Sequence, residues 1–568
     1  MENVFIAVGG SGTKVAEALV RLLAIGFPTR YQGNDANRVL TSAGETLRIW
    51  RVDPDSNSGA STELDRIVMK YRDLQANLED HWSMIISEVS HLDPLILPKR
   101  GEGDNIVKSL KGVLDSPIPG KKSSKPFLDL FFEEKDLEIQ VDRGFYQKPF
   151  IGSAVMSLFV DSLLDPSSNA SQKCGFKTLE GENVRFFLCG SLHGGTGACG
   201  VPVLGDFLKR RRDDKQAGGK WLLGACLLGP YHSPPALPFS LPKDREELTG
   251  DDIKTFIKEN EKHPAFQTLT DQSREELARQ ILQGFFADPD AMPKRASHSL
   301  SYYRDTIAKY FDQLFVIGKE TSDTYSNQES PQRWSNGGLS QNNPLNSAEV
   351  VAALSALGFF AESPVERAAE EVYTLACSTE KLEVKNVKLG DLPMYKVKDQ
   401  LIDPERVFLA SAMARHFIMH QLPWESKGSG WPSEYSLRKV YEQDEGRKID
   451  DKEKFDQASG LFIDIMKTTV GPQSSLGWSP DVPRDLFQLL ATDSKGVERV
   501  EEKLKKPGWR LWGEKPDRNL LGGVELDENA FELAKWQPTG TFNRGDYWRC
   551  VWENIYRIAK QAVKVQPA

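Results

Sequence analysis

A glycine-dense segment, "GSLHGGTGACG" at residues 190–200, most constrains what this chain can fold into. Five of its eleven residues are glycine; it overlaps the end of the apolar run "VRFFLCG" and leads into the helical pattern "ACGVPVLGDFLKR". Glycine permits positive φ and lets backbone N–H groups approach a ligand closely, and a helix N-terminus attracts anions. The segment therefore predicts a strand, a tight anion-binding loop and a helix.

Other parts of the chain repeat this order of elements. The first fifty residues are predicted to form the strand "NVFIAV", the turn "GGSGTK", the helix "VAEALVRLLAIGF" and the strand "TLRIWRVD". "KWLLGACLLG" and "QLFVIG" are further short apolar runs, which are typical of parallel strands covered by helices on both faces. Alternation of strands and helices predicts an α/β sheet built from βαβ units.

The length of the chain predicts more than one domain. At 568 residues it exceeds the roughly 250–300 at which a single core stops growing. We assign residues 1–370 to a first α/β domain with an insertion at about 61–142. The insertion has a helical pattern from Ser61 to Leu97 and an exposed, Gly-, Lys-, Ser- and Pro-rich stretch after it. Residues 371–568, where Gly and Pro interrupt often, form a predicted second domain.

Composition excludes several classes of protein. No apolar run approaches the roughly 18 residues of a membrane span, and the first residues do not resemble a secretory signal. Six cysteines are few, and Cys189 and Cys226 stand in apolar runs, as reduced thiols do, so we expect a cytoplasmic protein. The net charge of −9 disfavours nucleic acid as a partner. The one basic run, "KRRRDDK", is interpreted as a charged helix end.

Two common phosphate-binding fingerprints do not fit the glycine segments. "GGSGTKV" has Val15 where the dinucleotide pattern G-x-G-x-x-G requires glycine. Neither segment contains the P-loop pattern G-x-x-x-x-G-K-[ST]. An oxidoreductase of the dinucleotide-binding type is therefore the weakest of the functions we consider.

The segment "GGTGACG" resembles the signature loop of the tubulin/FtsZ family, whose members carry a Gly-Gly-Thr-Gly-(small)-Gly stretch between a strand and a helix. Its companions occur in the family's order over roughly residues 1–365, and the third loop is most similar to that of bacterial tubulin-like proteins. They are "GGSGTK", "VDPDSNSG", "RGFYQKPFIGSA", "LLGPYHSP" and "NNPLNSAEVVAAL". The last resembles the start of the family's long central helix.

The resemblance implies a set of nucleotide and metal contacts. Asp53 and Asp55 would hold the water shell of Mg²⁺, or else serve only as turn formers. Side chains at the start of the central helix would recognise guanine. The implied nucleotide-binding residues are Gly9, Gly10, Ser11, Gly12, Thr13, Gly144, Gln147, Gly194, Gly195, Thr196, Gly197, Pro230, Tyr231, Asn342, Asn343 and Asn346. We expect Gly197→Val to abolish nucleotide binding and to leave the protein folded.

The resemblance also implies a fold and a function. The fold would be a parallel-sheet, tubulin-like GTP-binding domain with a central helix, followed by a second α/β carboxyl-terminal domain. The protein would bind GTP or GDP with Mg²⁺ and assemble with itself, head to tail, into filaments in which the next subunit completes GTP hydrolysis.

The acidic segment that completes hydrolysis in this family has no counterpart with the right spacing here. The nearest acids are Asp391, Asp403 and Glu405. A second hypothesis is therefore a nucleotide-bound scaffold that does not hydrolyse GTP and docks partner proteins through the insertion and the carboxyl-terminal domain.

Overall fold

The computed structural model defines the backbone of most of the first 377 residues and of one hairpin after them. The described residues are 2–24, 30–32, 39–41, 45–56, 58–78, 84–95, 109–114, 132, 134–137, 141, 144–145, 149–214, 220–233, 249–267, 269–282, 292–303, 307–319, 323–324, 345–361, 371–377, 395–397 and 400–402.

Strands and helices alternate along the described chain. The strands are β1 (Glu2–Val8), β2 (Arg30–Gln32), β3 (Val39–Thr41), β4 (Thr46–Val52), β5 (Ile85–Leu92), β6 (Val184–Ser191), β7 (Trp221–Leu228), β8 (His232–Ser233), β9 (Gln313–Lys319), β10 (Asp323–Thr324), β11 (Glu371–Cys377), β12 (Tyr395–Val397) and β13 (Gln400–Ile402). The helices are α1 (Gly9–Ala24), α2 (Gly59–Leu78), α3 (Leu110–Leu114), α4 (Glu134–Leu137), α5 (Pro149–Leu164), α6 (Asn169–Cys174), α7 (Gly195–Asp213), α8 (Gly250–Glu259), α9 (Pro264–Gln267), α10 (Asp271–Leu282), α11 (Met292–Tyr303) and α12 (Ser347–Ala361).

Seven strands form one sheet in the order β11-β9-β7-β6-β1-β4-β5. All of the pairings between neighbours are parallel. The predicted α/β class is therefore confirmed for the described residues, and the strands predicted around "NVFIAV", "TLRIWRVD", "VRFFLCG", "KWLLGACLLG" and "QLFVIG" are all present. The helix predicted from "NNPLNSAEVVAAL" is present as α12.

The helical prediction for residues 61–97 is right only in its first part. α2 covers Gly59–Leu78, but Ile85–Leu92 forms the edge strand β5, paired with β4. Ile86, Ser90 and Leu92 of β5 are buried and most of the residues between them are partly exposed, so its pattern follows the two-residue period of a strand.

The structure also changes two of the predicted boundaries. β5, which lies inside the predicted insertion, belongs to the central sheet, and α2, which lies mostly inside it, packs against α1. Leu110 and Val113 are buried in the main core although that stretch was expected to be exposed. β11 pairs with β9, so the residues just after the predicted boundary at 370 complete the first sheet. Residues 403–568, most of the predicted second domain, lie outside the described residues.

Helices cover both faces of the sheet. Phe186 and Phe187 are neighbours in β6 and point to opposite faces, because side chains alternate along a strand. Phe187 packs against Phe359 of α12, with ring centroids 5.5 Å apart, on the face that also carries α1. Phe186 packs against Trp221 at 5.0 Å in the core shared with α5 and α7.

The basic run at the end of α7 is paired with acids, as expected for a charged helix end. The pairs are Lys209–Asp213 (2.7 Å), Arg210–Asp206 (2.5 Å), Arg211–Glu180 and Arg212–Asp312 (2.9 Å). Among the described helices, none combines the length and apolar character required to cross a membrane.

Asp312 ties α7 to two strands, and its loss should destabilise the fold. Its carboxylate accepts two hydrogen bonds from Arg212 and one, at 2.8 Å, from the backbone N–H of Leu223. We expect Asp312→Ala to lower the free energy of unfolding by about 1–3 kcal/mol, because the charge-assisted bonds from Nη1 of Arg212 and from the backbone N–H of Leu223 are lost. Asp213→Ala, which removes the partly exposed ion pairs of Asp213 with Lys209 and Arg212 in the same helix, should cost less than about 1 kcal/mol. Urea denaturation measures both, and equal effects would contradict this role of Asp312.

Candidate functional site

The predicted site residues that the structure describes lie mainly at one edge of the sheet. All seven strands are parallel, so their carboxyl ends share that edge. β1 and β6 are neighbours in the middle of the sheet. The strands that follow β1 in the chain, β4 and β5, lie on one side of this pair, and those that follow β6, β7 and β9, lie on the other. Ligands of open α/β sheets bind at such a switch point.

The glycine segments after β1 and β6 are mostly helix rather than loop. β1 ends at Val8 and α1 begins at Gly9, whose φ of 72° reverses the chain within one residue. Gly194 is the N-cap of α7, which begins at Gly195. The predicted turn "GGSGTK" is therefore the first turn of α1, and most of the signature glycines form the first turns of α7.

Three of the predicted loops meet at this point. A Cβ atom at Gly9 would lie 3.1 Å from the Cβ of Thr196 and 3.3 Å from the backbone N of Gly197. A Cβ atom at Gly144, where φ is 109°, would lie 3.8 Å from the Oγ1 of Thr196. The first, third and signature segments therefore converge on Thr196.

The N-termini of α1 and α7 give this edge a positive electrostatic character. The first turn of each helix has unsatisfied backbone N–H groups and carries a partial positive charge. Neither helix has an acidic residue in its first turn, although acids are favoured there. The two helix ends together are suited to an anion.

Only some of the glycines leave space for a ligand. A Cβ atom at Gly10 would meet nothing within 4 Å, and Gly10 and Ser11 are half-buried. A Cβ atom at Gly12 would lie 2.4 Å from the carbonyl oxygen of Cys189, and the hydroxyl of Thr13 donates to the carbonyl oxygen of Gly9. Gly12 and Thr13 therefore serve packing, and Gly10 and Ser11 line open space.

Gly197 is also required by packing, which corrects one expectation. A Cβ atom there would lie 2.6 Å from the backbone N and 2.9 Å from the carbonyl oxygen of Ser191. These are backbone atoms of β6 and cannot move aside as a flexible side chain can. The expectation that Gly197→Val leaves the protein folded is therefore wrong. A loss of binding in this variant would carry no information about a ligand.

Gly194 and Thr196 differ in their accessibility. Gly194 is half-buried, and its N–H donates to the hydroxyl of Ser191 at 3.2 Å. Gly195 and Thr196 are buried, Thr196 with 7% of its surface exposed. His193, next to them, is buried and packs edge-on against Tyr231, with ring centroids 5.9 Å apart.

The predicted nucleoside contacts on the β7 side take part in a buried hydrogen-bond network. The hydroxyl of Tyr231 donates to Oε1 of Glu349 at 2.8 Å, whereas Pro230 is half-buried. Asn346 is fully buried, and its Oδ1 accepts from the backbone N–H of Ala348 at 3.0 Å, so its side-chain oxygen caps α12. In this arrangement that oxygen is engaged in the cap rather than turned to a base.

Asp53 and Asp55 follow β4 at the same edge. Oδ1 of Asp53 accepts from the backbone N–H of Asp55 at 3.1 Å, so Asp53 does form a turn. Burial raises the pKa of Asp53 to about 7, and the carboxylates of Asp55 and Asp93 add to the rise, while Arg51 opposes it. Among the described residues, no group of three or more His, Cys, Asp or Glu side chains is arranged to hold a metal ion.

Several predicted residues cannot be placed in the site. The six that lie outside the described residues are Gln147, Asn342, Asn343, Asp391, Asp403 and Glu405.

Sequence reasoning missed one deeply buried carboxylate of this region. Glu349 is 3% exposed, and its Oε2 accepts from the backbone N–H of Asn346 at 2.7 Å. With the cap by Asn346 this is a capping-box arrangement, whose N-x-x-E spacing was visible in "LNSAEVV". Lys14, which is buried in α1, was also missed.

No protein-family model matches this chain, and no curated protein matches it in sequence. The resemblance to the tubulin/FtsZ family therefore rests on the loops themselves and on where they lie in the sheet.

Asp53 should make the stability of the protein fall as the pH rises. Its pKa is raised from 3.8 to about 7 in the folded state, so its stabilising contribution is complete below about pH 3.8 and is lost as the pH rises through about 7. Asn at this position keeps the oxygen that accepts from Asp55. Relative to wild type, Asp53→Asn should therefore gain up to about 4 kcal/mol between pH 4 and pH 8. Chemical denaturation of both proteins at several pH values without divalent cations measures this, and parallel pH profiles would refute it.

Proposed function

We propose that this chain is a tubulin-like GTP-binding protein that assembles head to tail into filaments, in which the neighbouring subunit completes GTP hydrolysis. GTP and GDP are the proposed ligands, and a second copy of the chain is the proposed partner. The protein is proposed to act in the cytoplasm.

One observation carries the proposal. The N-termini of α1 and α7, both begun by glycines and both without first-turn acids, meet where the strand order reverses. A nucleotide polyphosphate is the anion that such a pair fits best, because backbone N–H groups from two helices can approach its oxygens closely. Gly10 and Ser11 on α1 and Gly194 on α7 are the accessible members of the pair.

Asp53 and Asp55, after β4, are the residues proposed to hold the water shell of the Mg²⁺ that would accompany the nucleotide. Asp53, Asp55 and Asp93 interact electrostatically, and Mg²⁺ binds to nucleotide sites through one or two carboxylates together with phosphates and water. Mg²⁺ would supply positive charge that neutralises the phosphates. It would also lower the pKa of Asp53, which burial raises.

The strand order is shared with dinucleotide-binding enzymes, which makes them a useful comparison. The strands of the large sheet can be numbered in chain order, with β1, β4, β5, β6, β7 and β9 as 1 to 6. Across the sheet, from β5 to β9, they then follow the order 3-2-1-4-5-6. The first glycine segment lacks the third glycine of the dinucleotide pattern, and a second glycine-rich helix start follows β6. These differences favour a mononucleotide, and tighter binding of NAD than of GTP would reverse the choice.

Gly10→Ala should weaken nucleotide binding without harming the fold. The added methyl group meets no protein atom within 4 Å, and it would enter the space proposed for the phosphates. We expect the affinity for GTP–Mg²⁺, measured by calorimetry, to fall on the order of tenfold. The melting temperature should stay unchanged or rise, because replacing a helical glycine restricts the unfolded chain.

Gly250→Ala is the matched control. Gly250 also lies in the first turn of a helix, α8, and a Cβ atom there also meets nothing within 4 Å. This variant should bind GTP as the wild type does. Equal affinities of the two variants would remove the first turn of α1 from the site, and a wild type that does not bind GTP would overturn the proposed function.

Hydrolysis in trans makes a separate prediction about protein concentration. If the next subunit completes the active site, phosphate release per protein molecule should rise with protein concentration and should accompany sedimentation of the protein with GTP. Tight GTP binding with no phosphate release at any concentration would instead support the non-hydrolysing scaffold.

A further inference from the structure

A single buried carboxylate joins the segment after β7 to the N-terminus of α12. Oε1 of Glu349 accepts from the hydroxyl of Tyr231 at 2.8 Å, and Oε2 accepts from the backbone N–H of Asn346 at 2.7 Å. Tyr231 and Glu349 are 2% and 3% exposed. With one hydrogen bond from each oxygen, this carboxylate connects Tyr231 to the start of α12, and Tyr231 and Glu349 are 118 residues apart in the chain.

A charged group of α1 and an aromatic ring beside the signature glycines interact with this connection. Burial raises the pKa of Glu349 to about 7 and Glu17 adds to the rise, while Lys14, from the first half of α1, opposes it. The ring of His193, which precedes the signature glycines, packs edge-on against Tyr231. The connection thus contacts the signature segment through His193 and interacts electrostatically with α1 through Lys14.

The two sides of the switch point differ in the chemistry that they offer. The side of β4 and β5 carries the carboxylates of Asp53, Asp55 and Asp93, which suit a cation. The side of β7 offers Pro230, Tyr231 and the start of α12. With the phosphates at α1 and α7 and the cation on the acidic side, the β7 side is left for the sugar and the base.

We propose that Glu349 is a positioning residue for the nucleoside half of the bound nucleotide. It holds Tyr231 and the first turn of α12 at a fixed separation, and this separation defines the width of the nucleoside subsite. The inference rests on the proposed nucleotide-binding function. It assigns no contact between Glu349 and the ligand.

Tyr231→Phe tests the inference by removing one hydroxyl group and keeping the ring against His193. The affinity for GTP–Mg²⁺ should fall about five- to tenfold, since one hydrogen bond that orders the subsite is lost. The affinity for inorganic tripolyphosphate with Mg²⁺ should stay within about twofold of the wild type, because the phosphate-binding helix ends are unchanged. Calorimetry with both probes measures this difference.

Tyr71→Phe is the matched control for a lost buried hydroxyl. The hydroxyl of Tyr71 in α2 donates to the carbonyl oxygen of Met84 at 2.6 Å. Its removal should leave the affinities for GTP and tripolyphosphate at their wild-type values. Glu349→Gln adds a conservative variant: its amide can still accept from Asn346 and donate to Tyr231, so it should retain more GTP affinity than Glu349→Ala.

The outcomes separate the inference from the function on which it rests. If Tyr231→Phe weakens GTP and tripolyphosphate equally, or weakens neither, Glu349 does not position the nucleoside, although the protein still binds nucleotide. If the wild type binds tripolyphosphate no less tightly than GTP, there is no nucleoside subsite and the inference fails. A wild type that binds neither probe overturns the proposed function and the inference together.

Discussion

The close approach of two helix N-termini to the backbone of β6 is the constraint on which the site depends. The first turn of α1 lies against β6 at Gly12, and the first turn of α7 lies against the end of β6 at Gly197, with no room for a side chain at either contact. Glycine at these points lets backbone lie on backbone. Both helix ends are thereby fixed at one edge of the sheet, and their N–H groups converge without help from flexible side chains.

Buried charges hold α1 in this position from the other side. Nζ of Lys14 lies 2.5 Å from the carboxylate of Glu17, which also accepts from Arg21, and Arg21 reaches Glu63 of α2 at 2.6 Å. Breaking such a buried pair by removing one partner typically costs about 3–5 kcal/mol. Because Lys14 also interacts with Glu349, the network joins α1 to α2 and α12. A shift of α1 would therefore disturb both neighbouring helices.

The sheet was largely predictable from sequence, and the site only in outline. Apolar runs flanked by glycine identified the central strands, because strands buried on both faces need no polar residues. β5 was missed because this edge strand is partly exposed and carries polar residues between its apolar ones. The resemblance led us to expect that the glycine segments lie around one site. It did not predict which glycines are required by packing and which leave open space. Whether a glycine meets backbone or open space depends on neighbours that are remote in sequence. Asn346 was expected to contact the base because of the resemblance, although its N-x-x-E spacing to Glu349 is also that of a helix cap.

The glycines of this site have consequences for how the sequence can vary. Gly12 and Gly197 are restricted by the protein's own backbone, so relatives that had lost every ligand would still need glycine at both positions. Gly10 has no such restriction within the described structure. Among homologous sequences, invariance of Gly12 and Gly197 would show only that the fold is conserved. Substitution of Gly10 would instead identify the homologues that no longer bind the ligand.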